Sequence, residues 1–212
     1  MYRLNQLIKF CLRVVFITTI LAGLSGCTSL VRPNFSSELK TLRAGQYQLD
    51  PLHSFLFFRI EHLGLSKIVG RFNELEASLD FDPANPTELK LSGIILANSL
   101  DLNNSDLEET LQETSWFSSS AHPQITFEST SVRTGSDSTL EIDGILSMRG
   151  TENPVTLQAT FNGGADNILT RKYTIGFSAQ ARIKRSDFGM DTFTAFIGDE
   201  IEIELHGEFQ RQ

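Results

Sequence analysis

The sequence predicts an all-β fold, an eight-stranded antiparallel barrel with one short helix between the third and fourth strands. Three observations carry that prediction. Apolar and polar residues alternate in run after run between residues 47 and 209, which is the period of half-buried strands. Short clusters of Gly, Pro, Asn, Asp and Ser separate the runs at 82–86, 134–137, 150–154, 162–164 and 198–199, where the chain is expected to turn. One segment, 104–111, breaks the period. Alternation sustained over so many runs means an antiparallel sheet with one dry face. A sheet of about eight strands closes into a barrel whose interior fills with side chains or holds one small ligand.

The first run places Ser54, Leu56, Phe58, Ile60 and His62 on one side and His53, Phe55, Phe57, Arg59 and Glu61 on the other. Successive side chains of a strand point to opposite faces, and the row without the charges is the inner one. After Gly64 a second strand carries Ile68, Gly70, Phe72 and Leu75 inward. Leu91, Gly93, Ile95 and Ala97 form the next inner row, then Ile125 and Phe127, then Leu140, Ile142, Gly144, Leu146 and Met148. Val155, Leu157, Ala159 and Phe161 follow, and after them Tyr173, Ile175, Phe177, Ala179, Ala181 and Ile183. The last row is Ile201, Ile203, Leu205 and Phe209, set against Glu200, Glu202, Glu204, His206 and Glu208. In the aperiodic segment, Ser105 with Glu108 three residues on reads as a capping box. Leu107, Leu111 and Trp116 recur at near-helical spacing, so a short helix is expected there, over one mouth of the barrel. A membrane-spanning barrel shows the same alternation turned inside out. It would crowd four glutamates on one lumen strand, which disfavours it.

Upstream of the barrel the chain reads as a targeting leader. Arg3, Lys9 and Arg13 are its basic part, 14–22 an apolar run too short to span a bilayer, and Leu24-Ser25-Gly26-Cys27 a small-residue cleavage site. That tetrapeptide resembles the lipobox of bacterial lipoproteins. The resemblance implies a signal peptide over 1–26, acylation of Cys27 as the first mature residue, and a durable membrane anchor of several acyl chains. Thr28 in place of aspartate favours the outer membrane under the enteric sorting scheme. Residues 27–45 are polar and aperiodic and are expected to form a tether, followed by a single domain over 46–212. Cys11 leaves with the leader and Cys27 carries lipid, so no disulfide is expected. The formal charge of −8 becomes −11 without the leader, 15 Lys and Arg against 26 Asp and Glu. That sign excludes phosphate-backbone binding to nucleic acid.

The chemistry-bearing residues are few. His53, His62, His122 and His206 have no spacing that pairs two of them on one strand face with a carboxylate. Asp50, His53 and Ser54 spell a hydrolase triad, but neighbours on one strand point to opposite faces, and a nucleophile and its base must share one. Phosphate loops, zinc spacings and nucleophile elbows do not occur in the sequence. No catalytic residue, metal or cofactor is therefore expected.

Several motifs follow one another in order. The opening reads D50-P-x-H-S-x-x-x-F-x-I-x-H-L-G-x-S-x-I-x-G-R-F72, followed by Ser99-Leu100-Asp101, Pro123-Gln124-Ile125-Thr126-Phe127-Glu128-Ser129 and the stretch from Gly144 to Gly150. Lys184-Arg185-Ser186-Asp187-Phe188-Gly189-Met190 and Ile197-Gly198-Asp199 complete the set. Together they resemble the YceI-like family, lipocalin-like periplasmic barrels that bind polyisoprenoids. The resemblance implies an apolar pore that holds an isoprenoid chain of polyprenyl or quinone-like type. Leu56, Phe58, Ile60, Ile95, Ile125, Phe127, Leu146, Ile175, Phe177, Ile203 and Leu205 are the residues expected to line it. Where the family tends to read R-D-x-H-L in the helical segment, this chain reads Leu107-Glu108-Glu109-Thr110-Leu111, and the arginine and histidine that would meet a polar head group are gone. The Arg185-Ser186-Asp187 trio suits a hydrogen-bonded corner, with Gly189 supplying an unusual backbone angle.

The expected function is thus non-catalytic binding, storage or transport of an isoprenoid-type lipid by a lipid-anchored barrel at the outer membrane, facing the periplasm. The alternative is a structural or stress-related envelope lipoprotein that acts through protein interactions. A homodimer is left open.

Overall fold

The computed structural model describes residues 35–36, 38–136 and 138–212; the leader, Cys27 and the tether through residue 34 lie outside them. The chain runs β1 (Gly45–His62), β2 (Ser66–Phe72), β3 (Leu75–Phe81), β4 (Lys90–Leu96), β5 (Leu100–Asp101), helix α1 (Ser105–Gln112), β6 (Gln124–Thr134), β7 (Thr139–Met148), β8 (Thr151–Asp166), β9 (Tyr173–Lys184) and β10 (Ile197–Arg211). β2 pairs with the second half of β1 and β3 with its beginning, so the two are one wall strand interrupted at Asn73 and Glu74. β4 and β5 are likewise one wall strand, with the 3-10 turn Ala97–Ser99 between them. Counted this way the wall has eight antiparallel strands. They are ordered β1, β2/β3, β4/β5, β6, β7, β8, β9, β10, and β10 returns to β1 from Tyr47 opposite Arg211 to His62 opposite Ile197. Closure joins the two long edge strands, while β2 ahead of Arg71 pairs only with β1 and β5 only with β2. This is the eight-stranded barrel with one short helix that the alternation predicts.

Two hairpins turn with the backbone twist that two-residue loops favour. Leu63 and Gly64 both have positive φ (56° and 67°), as do Arg149 and Gly150 (57° and 75°). The second places the turn before residues 151–154, which the sequence reading assigned to a turn and which begin β8. Asn162, Gly163 and Gly164 are likewise inside β8, at a bulge against β9 between Phe161 and Gly163. Gly198 and Asp199 lie inside β10. A bulge and a turn ask for the same residues, so composition does not separate them. The real β8–β9 turn is 167–172, where Asn167 Oδ1 accepts from the backbone of Leu169 at 2.9 Å.

The interior is packed at both ends. One buried cluster gathers Tyr47, Phe81, Leu140, Phe161, Tyr173 and Ile175. The other gathers Leu56, Phe72, Leu100, Met148, Phe188 and Met190 at the opposite end. The outer face carries the charges: Arg59 meets Glu204 at 2.6 Å and Lys67 meets Glu202 at 3.0 Å across the strands. A lipid-facing wall would be apolar there. Residues 38–44, assigned to the tether by composition, already belong to the packed domain. Leu42 is buried in the first cluster, Ser36 and Gly164 exchange backbone hydrogen bonds of 3.0 and 2.8 Å, and Arg43 grips Asp166 through both guanidinium nitrogens at 2.7 and 2.6 Å.

Helix α1 is capped one residue earlier than expected. Asn104 Oδ1 accepts from Leu107 N at 3.2 Å, and Glu108 reaches back to the backbone N–H of Asn104 and Leu102 at 3.1 and 2.7 Å. Leu111 and Phe117 then pack over the second cluster, with Phe117 edge-on to Phe72. The corner after β9 also differs in its parts. Arg185, 1% exposed, donates from its guanidinium to the carbonyls of Gly198, Met190 and Ile197 at 2.9, 2.6 and 3.0 Å. The acidic partner is Asp199, which accepts from Ser186 N and Oγ at 2.9 and 2.8 Å. Asp187 contributes its carbonyl oxygen, to Asn153, while its side chain is exposed. Gly189 has φ 73° as expected.

Candidate ligand cavity

Between the two end clusters lies an apolar cavity of about 160 Å³. It exists because the inner rows run out of bulk at mid-height. Ala77 stands opposite Gly93 in the β3–β4 register, and Ala159 opposite Ala179 in the β8–β9 register, with Ala181 two residues on. In the barrel order these two pairs of strands are four apart, so small residues face each other across the diameter. A Cβ added at Gly93 would meet nothing nearer than the Glu76 carbonyl oxygen at 3.8 Å. At Gly144, another inward glycine, it would fall 2.5 Å from the Glu128 carbonyl oxygen and 2.6 Å from Phe127 Cε2. The first glycine leaves space, whereas the second has been filled by a phenylalanine.

Of the residues expected to line a pore, Leu56, Ile95, Phe127, Leu146, Phe177, Ile203 and Leu205 border this cavity. The other four do not. Phe58 stacks obliquely on Phe72 at 5.9 Å, Ile60 is buried, and Ile125 and Ile175 belong to the end clusters. Alternation fixes the face a residue shares but not its height along the axis, and height separates cavity from plug. The small residues that create the space were not singled out for the pore. The usable signal was Gly93 and the Ala159, Ala179 and Ala181 positions within otherwise bulky inner rows.

A row of aromatics closes the cavity toward the Tyr47 end. Phe177 meets Phe161 edge-on at 4.7 Å and Phe209 at 5.7 Å, and Phe161 stacks with Phe81 at 6.2 Å. The polar residues that border the space, Glu76 and His206, occupy outward positions of their strands. His206 Nε2 lies 2.9 Å from Glu204 Oε1.

The Asp50, His53 and Ser54 letters form a clasp at the β1 bulge, where the β10 register slips between Leu49 and Ser54. His53 Nδ1 lies 2.9 Å from Asp50 Oδ2, Gln210 Nε2 donates to the same oxygen at 2.7 Å, and Leu52 N donates to Oδ1 at 3.1 Å. Ser54 Oγ is committed to the Asp50 carbonyl at 2.7 Å. Burial works to raise the Asp50 pKa, but the hydrogen bonds from His53, Leu52 and Gln210 outweigh it and hold the carboxyl below its usual range. The hydrogen bond to Asp50 raises His53 in turn. Glu208 stands near enough to complete a trio of ligand-type groups, but with Asp50 already satisfied by protein donors the arrangement is a structural fastening.

The model of the YceI-like domain matches residues 47–209, all but the ends of the barrel. The chain belongs to the YceI-like family. A UPF0312 protein of Pseudomonas aeruginosa strain LESB58 is 36% identical over 171 residues, covering 80% of this chain and 88% of that protein. The crystal structure of Burkholderia cenocepacia BcnA is similar with a TM-score of 0.68 at 25% identity, covering 76% of this chain and 98% of the other. A polyisoprenoid binding domain from Saccharophagus degradans, implicated in plant cell wall breakdown, shares the fold with a TM-score of 0.58 at 13% identity, over 80% of this chain and all of that one. The YceI-like match runs through both cavity walls and both end clusters.

Proposed function

We propose that this protein is a non-catalytic carrier or store of an isoprenoid-type lipid, polyprenyl or quinone-like, held by the apolar interior of a barrel that acylated Cys27 anchors at the periplasmic face of the outer membrane. The observation that carries the reading is the cavity between the end clusters. It is walled by aliphatic and aromatic side chains, as a site selecting hydrocarbon over water would be. The shared fold with a domain described as polyisoprenoid binding points the same way. An engineered apolar cavity of ~150 Å³ stays dry and takes up benzene, so about 160 Å³ has room for one isoprene unit but not for a long chain. Longer ligands extend along the axis by parting the Phe177 and Phe127 side chains, both only partly buried.

The test is to purify the folded mature chain without detergent, extract it and identify the lipid by mass spectrometry. A prenyl lipid at near-stoichiometric yield is the expected result. Recovery of no prenyl lipid, or of only membrane phospholipid, overturns the carrier reading. Anchoring is tested apart from it: Cys27→Ser should release the protein from membranes or leave the leader uncleaved, and unchanged fractionation with normal processing counts against the lipobox.

A further inference from the structure

We propose that the barrel end formed by Phe35 and the β8–β9 turn docks on the phospholipid bilayer that holds the anchor, so that the barrel stands on the membrane instead of drifting on a loose tether. The proposal rests on the reading of Cys27 as the lipid attachment site.

Three large apolar side chains project at this end: Phe35, Ile168 and Leu169, exposed by 62%, 65% and 93%. The turn that presents two of them is held firmly. Asn167 donates its N–H to the Lys172 carbonyl at 2.9 Å and its own carbonyl accepts from Arg171 N at 2.8 Å. Its side-chain oxygen accepts from Leu169 N and Thr170 N at 2.9 and 3.3 Å. Ile168 and Leu169 are therefore held at the tip, with the exposed cations Arg171 and Lys172 directly behind them. An apolar tip backed by cations is the composition that settles at the boundary of acyl chains and anionic head groups. Phe35 joins them through the Ser36–Gly164 backbone pair.

The opposite end also exposes apolar residues, among them Leu65 and Phe196, and chain length decides between the two. Phe35 is eight steps along the chain from Cys27, and fully extended these steps reach at most about 29 Å. β10 runs from one end of the barrel to the other over 15 residues, about 35 Å of height at ordinary strand rise and tilt. An anchor at Cys27 falls short of the far end and reaches the Ile168–Leu169 end with slack. Arg43 reinforces this geometry by clamping Asp166 at the base of the turn, which ties the arriving chain to the docking tip.

The test uses the acylated full-length mature chain in vesicles of phosphatidylethanolamine and phosphatidylglycerol. With Cys11 removed and Cys27 acylated, Leu169→Cys supplies the single free thiol for an environment-sensitive fluorophore, and Leu65→Cys supplies the same label at the far end. The expected result is a blue-shifted emission at position 169, quenched by nitroxide-labelled acyl chains, with position 65 remaining aqueous. A label at 169 that stays aqueous while the chain sediments with the vesicles overturns the docking and leaves the anchor standing, as does quenching at 65 alone. A chain that remains in the supernatant refutes the anchor, and the docking falls with it.

Discussion

Gly93→Val tests whether the mid-barrel space is a cavity and whether that cavity is the binding site. A void of about 160 Å³ costs the empty fold roughly 4 kcal/mol at about 24 cal/mol per Å³. Gly93 is where that space can be entered without displacing anything, since a Cβ there has only the Glu76 carbonyl oxygen at 3.8 Å as a neighbour. Valine adds three carbons at about 0.8 kcal/mol each when buried, and replacing a strand glycine recovers about 0.5 kcal/mol more. After an allowance for imperfect fit the gain is about 2 kcal/mol, a rise of about 4–8 °C in melting temperature for a domain of this size. Gly144→Ala is the control. One methyl there falls 2.5 Å from the Glu128 carbonyl oxygen and should cost about 1–3 kcal/mol by overpacking. Chemical denaturation of the delipidated chain measures both, and calorimetric titration with farnesol measures whether the filled barrel still binds. If Gly93→Val destabilises as Gly144→Ala does, the space is not open. If it stabilises the fold yet binds farnesol as well as the wild type, the ligand sits elsewhere.

Arg185→Met should destabilise by about 3–5 kcal/mol in the same denaturation assay, because three carbonyl oxygens, that of Met190 buried and those of Ile197 and Gly198 partly so, lose the charge-assisted donors of one buried guanidinium together; a loss under about 1 kcal/mol would mean water replaces the guanidinium. Asp199→Ala should cost about 1–3 kcal/mol through its two bonds to Ser186, while Asp187→Ala, altering an exposed side chain, should stay within about 0.5 kcal/mol; the reverse order would return the corner to Asp187. For the Asp50–His53 link the sign follows from two shifts. His53 is raised from 6.5, so its contribution is complete below that value and lost as pH climbs through the raised one; Asp50 is lowered from 3.8, so its share is present above that value and lost as pH falls through the lowered one. Stability measured at pH 5 and pH 9 should therefore lose some slope in His53→Gln, by less than about 1 kcal/mol for so exposed a ring, and an unchanged slope would sever the link.

Much of the wall was legible because period-2 alternation is a direct image of a strand with one dry side. The rows read from Tyr173 to Ile183 and from Ile201 to Phe209 are the inward rows of β9 and β10. What the period does not carry is height along the axis. Phe58 and Leu56 share a row and both pack in the same end cluster, yet Leu56 also borders the cavity while Phe58, against Phe72, does not. Turn residues misled where glycine served a bulge, as at Gly163, or a strand interior, as at Gly198. The corner acid was misplaced for a similar reason. Sequence proximity favoured Asp187, whereas the bond is made by Asp199 on the strand returning beside it. Asn104 was overlooked as a cap because Ser105 and Glu108 satisfied the shorter motif.

Filling the void sets a floor on affinity that the ligand must exceed. Relief of roughly 4 kcal/mol, the whole cost of the empty cavity, corresponds to a dissociation constant of about 1 mM before the entropy of immobilising a chain is deducted. A useful carrier needs far more, and the additional apolar area lies along the barrel axis, beyond the Phe161–Phe177–Phe209 contacts. Parting those rings costs their edge-on contacts, about 0.5–1.5 kcal/mol per pair, which burial of one further isoprene unit more than offsets at about 0.8 kcal/mol per carbon. Affinity should therefore stay weak for prenols of one or two units and strengthen steeply once the chain is long enough to displace Phe177. Titration with a prenol length series reads this directly. A constant affinity across the series would mean that the rings never part, and that the barrel recognises a fragment instead of a chain.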